Sequence, residues 1–209
     1  MQQEKFYSLS HDLRRKYKYL EKIVGGNLEI RKRCHVCGHY VEFDERAYKD
    51  LIFEVSDNPE YPDNIMFGGS PNFIIISQRA LEVFNKESIT GFWAYPITIL
   101  HKGQKIERQY YILRVYGKAE YNYKKMGKKP AFYCENCGYT EYSGKRPLNY
   151  EFTYLKENSW DGSDLFSLSA KYCIEKVINI IKKNKLTGFD AEDIIHSLNP
   201  YEQRYWKHL

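Results

Sequence analysis

Two short stretches, CHVCGHY at Cys34–Tyr40 and CENCGYT at Cys134–Thr140, write the same pattern twice. Each sets two cysteines three positions apart, follows the second with Gly38 or Gly138, and brings an aromatic side chain within two further positions. Four of the chain's five cysteines lie in these motifs, and 96 residues separate one copy from the other. Two cysteines at this spacing can wrap a tight turn that aims both thiolates at one ion, and the glycine permits the backbone geometry of such a knuckle. Two knuckles supply four thiolates, the closed tetrahedral shell of a structural zinc site. The spacing therefore predicts Zn2+ held by Cys34, Cys37, Cys134 and Cys137, with no position left for a reactive water. The other use of such thiols is redox chemistry or plain burial. His35 and His39 stand close enough to substitute as ligands, but four cysteines already fill the shell.

The long insertion is no obstacle, because loop-closure entropy grows only logarithmically with length. A site that joins distant segments makes Cys34→Ser an expected blow to the fold as a whole. Arg31, Lys32, Arg33, Lys128 and Lys129 flank the knuckles and would offset the negative charge of four thiolates around a divalent ion. Cys173 differs. With Ile174, Val177, Ile178 and Ile181 it falls on one helical face, as a small apolar core residue does.

The chain has no signal-peptide pattern and no apolar run of membrane-spanning length, which predicts a soluble, cytoplasmic protein with no membrane partner. That compartment also favours metal over disulfide for paired C-x-x-C units. The net charge of +5 is unevenly placed. Residues 1–33 carry nine bases against four acids, residues 42–64 eight acids against two bases, and residues 114–129 six bases against one acid. Such segregation suits solvated faces, or a nucleic-acid footprint.

Around the knuckles the sequence reads as α+β. Residues 1–27 form an N-terminal segment with a helix expected over His11–Ile23, ending at Gly25–Gly26. Residues 28–140 hold the first knuckle, a strand in NFIIIS, a helix in QRALEVFNKE and a hairpin of GFWAYPITIL and ERQYYILRVYG turned at HKGQK, closed by the second knuckle. Residues 141–209 supply a second strand–helix unit and a tail. The stretch GSPNFIIISQRALEVF…ITG (Gly69–Gly91) has a counterpart in GSDLFSLSAKYCIEKV…LTG (Gly162–Gly188). In each, a serine (Ser77 or Ser169) would cap the helix and a Thr-Gly would end it. The expected architecture is thus a pseudo-repeat of two strand–helix units, joined by a zinc-ribbon-like site that the two distant knuckles form.

The paired C-x-x-C-G motifs, the ISQRALEVF–ITG unit and WDGSDLF at Trp160–Phe166 together resemble the bacterial double-CXXCG motif proteins. More widely, they resemble immunity proteins of polymorphic toxin systems that share a Trp-x-Gly-x-Asp-Leu-Phe segment. The resemblance spans most of residues 28–198. It leaves the first 27 residues and NPYEQRYWKHL without a counterpart. It implies a cytoplasmic, non-enzymatic protein whose partner is a cognate protein toxin, neutralised by stoichiometric binding. The residues themselves are consistent with that class, since they hold no Gly-rich phosphate loop, no H-E-x-x-H and no nucleophile motif. Gln109–Tyr116 and the acidic loop Glu54–Met66 are the stretches expected to meet the partner. The alternative is a zinc-ribbon nucleic-acid-binding protein that grips phosphates through Arg31–Arg33 and Lys124–Lys129 and stacks bases on its tyrosines.

Overall fold

Ile74, Ile75, Ile76 and Ser77 are all buried, so this strand is covered on both faces and reads as a continuous apolar run. It belongs to a strand-rich α+β protein, seen here in a computed structural model that describes residues 5–13, 16–26, 31–43, 48–68, 73–124, 127–143, 155–167 and 171–193. In chain order the first elements are β1 (Phe6–His11), β2 (Tyr19–Gly25), β3 (Arg31–Arg33), β4 (Tyr40–Phe43), β5 (Ile52–Val55) and β6 (Met66–Phe67). There follow β7 (Ile74–Ser77), α1 (Gln78–Lys86), β8 (Phe92–His101) and β9 (Gln104–Lys105). Next come β10 (Tyr110–Val115), β11 (Gly117–Lys118), β12 (Glu120–Tyr121), β13 (Lys129–Tyr133) and β14 (Thr140–Ser143). The last are β15 (Leu155–Lys156), β16 (Leu165–Ser167), β17 (Lys171–Ile174), α2 (Glu175–Lys183) and β18 (Phe189–Asp193). Among the described residues no helix is long and apolar enough to cross a membrane.

Two sheets organise the chain. One runs β6-β2-β5-β8-β10-β7 with β9 hairpinned onto β8, and the other runs β11-β16-β17-β1-β18. In the first, β10 lies between β7 and β8 and is antiparallel to both. In the second, β1 lies between β17 and β18 and is antiparallel to both. The earliest strand of the chain thus completes a sheet whose other four strands come from residues 117–193. Three short ribbons, β3–β4, β13–β14 and β12–β15, stand apart from the two sheets.

Strand alternation divides the apolar residues between two cores. Ile74 and Ile76 face a core shared by Ala80, Leu81 and Phe84 of α1 and by Val177, Ile178, Ile180 and Ile181 of α2. Ile75 faces the other way, toward Phe53, Ile99, Tyr110 and Ile112. Cys173 is fully buried in the first core, as expected, although it lies in β17 rather than on the helix.

The N-terminal segment corrects an expectation. The described residues of 1–27 form β1 and β2, and the helix over His11–Ile23 is absent. Register supplies the reason. The β2–β5 ladder shifts between Leu20 and Lys22 and again between Ile23 and Gly25, so Leu20 sits opposite Val55 and Ile23 opposite Phe53. A bulge between Leu20 and Ile23 puts residues three apart on one face of a strand, and so imitates helical spacing.

Each helix directly follows a four-residue strand, but the two starts differ. Ser77 caps α1 as expected, its Oγ accepting from the Ala80 N–H at 3.2 Å and donating to Asp63 Oδ1 at 2.8 Å. Helix α2 starts after Ile174 with no side-chain cap, so the expected equivalence of Ser77 with Ser169 fails; Ser169 lies outside the described residues. Ser77→Ala removes a cap and a bond to a buried carboxylate, and should lower unfolding free energy in urea by about 2 kcal/mol. A loss below about 0.5 kcal/mol would show that the cap is idle.

The helix ends match closely. Ser88 and Lys185, at φ 52 and 50, make the left-handed turn after each helix, a role the sequence reading gave to the later glycines. Gly91 and Gly188 do something else. A Cβ on Gly91 would collide with the Leu165 carbonyl, and one on Gly188 with that of Asn64. Just before each glycine, a threonine is met by an acid from far along the chain. Asp164 Oδ2 accepts from the Thr90 N–H at 2.8 Å and hydroxyl at 2.9 Å, and Asp63 Oδ2 from those of Thr187 at 2.9 and 3.1 Å. The bonds return: the N–H of Asp164 donates to Thr90 Oγ1 and that of Asp63 to Thr187 Oγ1. Arg79 from α1 pairs with Asp63 at 2.6 Å, and Lys176 from α2 pairs with Asp164 at 3.2 Å.

Candidate metal centre

Each knuckle is built by the same two backbone bonds. Gly38 N–H donates to the Cys34 carbonyl and Cys34 N–H to that of His39; Gly138, Cys134 and Tyr139 repeat the arrangement. The turn requires a left-handed residue at its end, and Gly38 and Gly138 hold φ of 71 and 72. The rings that follow, His39 and Tyr139, stack on one another with centroids 3.5 Å apart and clamp one knuckle against the other.

The structure brings all four predicted ligands together. Cys34 and Cys134 sulfurs lie 3.8 Å apart, those of Cys37 and Cys137 lie 3.7 Å apart, and all four fall within 4.8 Å of one another. A tetrahedron with zinc–sulfur bonds of about 2.3 Å has edges of about 3.8 Å, so the cluster is close to the size a metal ion needs. All five cysteines are free of disulfides. Burial of Cys34 and Cys134 excludes water from the inner side of the cluster.

The electrostatics favour a cation. The Cys37 backbone N–H, helped by that of Val36 and by the Asn136 amide 3.3 Å from Cys34 Sγ, brings the Cys34 thiol down to about 6 against the opposing effect of burial. At Cys137 the Tyr139 backbone N–H favours the thiolate, but burial and the sulfurs of Cys134, Cys37 and Cys34 outweigh it and push the thiol up to about 12. Neighbouring sulfurs thus oppose the Cys137 thiolate. A divalent cation at the centre of the cluster would remove that opposition. Asn136 was not singled out from sequence; its place inside the second C-x-x-C was the available signal.

Other charged residues are dispersed. Arg31, Lys32 and Arg33 lie in β3, paired with Phe43, Glu42 and Tyr40. His101 joins an exposed ion pair with Asp57 at 2.7 Å, which holds the Asp57 carboxyl below its usual value. Of the two stretches expected to meet a partner, Glu54–Met66 is largely a structural loop, with Asp63, Asn64 and Ile65 buried. Gln109–Tyr116 is buried at Tyr110, Ile112 and Leu113 and opens to solvent at its end. There Tyr116, 39% exposed, meets Trp93 of β8, 47% exposed, at 4.1 Å, and the Arg114 guanidinium lies over the indole at 5.0 Å. Trp93 went unnoticed in the sequence because its strand also carries buried residues. Trp160 of the WDGSDLF segment packs edge-on against Phe6 and donates to the Ser163 carbonyl, so it serves the fold.

No family model matches the chain, and no curated protein matches it.

Proposed function

We propose that the chain is a toxin-neutralising binding protein that works by one-to-one capture, with a structural Zn2+ in the four-cysteine cluster. The observation that carries the binding role is the Trp93–Arg114–Tyr116 cluster. Tryptophan, arginine and tyrosine are the residue types in which interface energy concentrates, and here they stand together on a rigid sheet. That the partner is a bacterial toxin rests on the resemblance of the cysteine and WDGSDLF motifs to immunity proteins. Two halves of similar design accompany this reading: a diverged pseudo-repeat in which each half lends its first strand to the other. The reciprocal Asp–Thr bonds and twin knuckles support it, in the register of the Thr-Gly ends. The ribbons β3–β4 and β13–β14 then form the two arms of one zinc ribbon.

Titration against the toxin domain encoded beside this chain's gene should give inhibition that saturates near one equivalent. Protection by a small fraction of an equivalent would mean turnover and end the binding reading. Trp93→Ala should weaken capture about 30-fold, the loss of about 2 kcal/mol that marks an interface anchor. An unchanged affinity would move the interface elsewhere.

A further inference from the structure

Beside the second cysteine ribbon lies an open trough of about 1020 Å³, between β12–β15 on one side and β13–β14 on the other. Its wall presents four lysines and one acid, Glu120, which is already paired with Lys156 at 3.0 Å. Lys124, Lys128 and Lys129 line the same trough. Tyrosines form the floor. Tyr123 stacks on Tyr142 with centroids 3.7 Å apart and planes 14° from parallel, and Tyr121 meets Tyr123 edge-on at 5.9 Å. Lys128 sits 6.0 Å from the Tyr123 ring.

We propose that this trough binds single-stranded nucleic acid, with bases stacking on the Tyr123–Tyr142 platform and phosphates running along Lys124, Lys128 and Lys129. The argument rests on the pairing of two chemistries. Lysines alone would serve any anion, including an acidic peptide. Stacked tyrosine rings beside them give flat faces that a nucleobase uses and a glutamate side chain does not. The volume points the same way, since it lies at the upper end of small-molecule pockets, and the open form suits a chain rather than an enclosed ligand. A duplex would keep its bases stacked inside and away from the rings, so the strand must be single. The site is lined by β12–β15 and β13–β14 rather than by the Trp93 cluster's strands β8 and β10, and does not depend on toxin capture.

The test uses the full-length metal-loaded chain and fluorescein-labelled dT12 and rU12, followed by anisotropy at 50 mM and 200 mM salt. Saturable binding should appear, with affinity falling about 10-fold between the two salts for two to three phosphate contacts. Lys124→Glu, on an exposed loop where folding is not at stake, should weaken binding several-fold and flatten that salt dependence. Tyr123→Ala with Tyr142→Ala should weaken it at least 10-fold, and the exposed Lys124 variant guards against misfolding as the cause. Preference between dT12 and rU12 would identify DNA or RNA as the strand. No binding at 100-fold the concentration of labelled strand, about 10 µM protein, would overturn the proposal. So would equal affinity for a poly-glutamate of matched charge, or binding indifferent to the tyrosines. Either would leave a lysine patch for an acidic protein surface.

Discussion

With Zn2+ in the four-cysteine cluster, as proposed, Cys34→Ser should release it and strip protection from both ribbons at once, although the substitution touches only one. Among the described side chains, no residue of β13–β14 belongs to either apolar core, and all five residues of β13 are exposed, Phe132 and Tyr133 among them. Two-stranded ribbons of this size are marginal alone, so their order would depend on the proposed metal and on the His39–Tyr139 stack. With free zinc at a thousand-fold its Kd, such an ion would contribute about 4 kcal/mol to the stability of the native state, and the variant should lose most of it. Elemental analysis should give one zinc per chain in the wild type and none in the variant. Amide exchange should quicken over residues 31–43 and 127–143 together. Metal-free wild-type protein, purified without chelator, would reject the site; fast exchange in the first ribbon alone would reject the shared arrangement.

Asp63→Ala and Asp164→Ala should each cost about 3–5 kcal/mol in urea unfolding. Both carboxylates are nearly buried, at 5% and 6% exposure, and each accepts from the backbone and hydroxyl of a threonine more than 70 residues away while facing a cation. Removing one takes the shared acceptor from a threonine N–H and hydroxyl in a part-buried turn, and leaves Arg79 or Lys176 only the carbonyl of Asn184 or Ser88. Losing a nearly buried acceptor costs more than the net worth of the bonds themselves. The double variant should lack a folded baseline at room temperature, because domains are stable by only about 5–15 kcal/mol. Single losses below about 1 kcal/mol would mean that the threonine turns hold without the acids.

The cysteine cluster was legible because its information is local: a turn motif of seven residues, written twice. The β7–α1 unit was equally plain, with an apolar run, a capping serine and a helical face at Ala80, Leu81 and Phe84. The N-terminal strands were not, since the bulges in β2 put Leu20 and Ile23 at a helix-like spacing. The pairing of β1 with β17 and β18 was invisible for a different reason. Pairing between residues such as Tyr7 and Cys173 leaves no mark in any short window of sequence. Asp63 sat within an acidic stretch and read as one solvated charge among eight, when it is the one that locks Thr187. The repeated Thr-Gly was noticed, but its glycines were assigned to helix ends because a colliding carbonyl can be seen only in three dimensions.

The position of β1 also sets an order of events during synthesis. Tyr7 finds its neighbours in Cys173 and Asp193, so β1 leaves the ribosome long before the strands it pairs with are made. At roughly 5–20 residues per second, that delay is about 10–40 s. Meanwhile β10 reaches β7 and β8 soon after it is made, since all three lie within residues 74–115. The seven-stranded sheet can therefore form while the five-stranded one still waits, and β1 stays unpaired until residues 171–193 have been made.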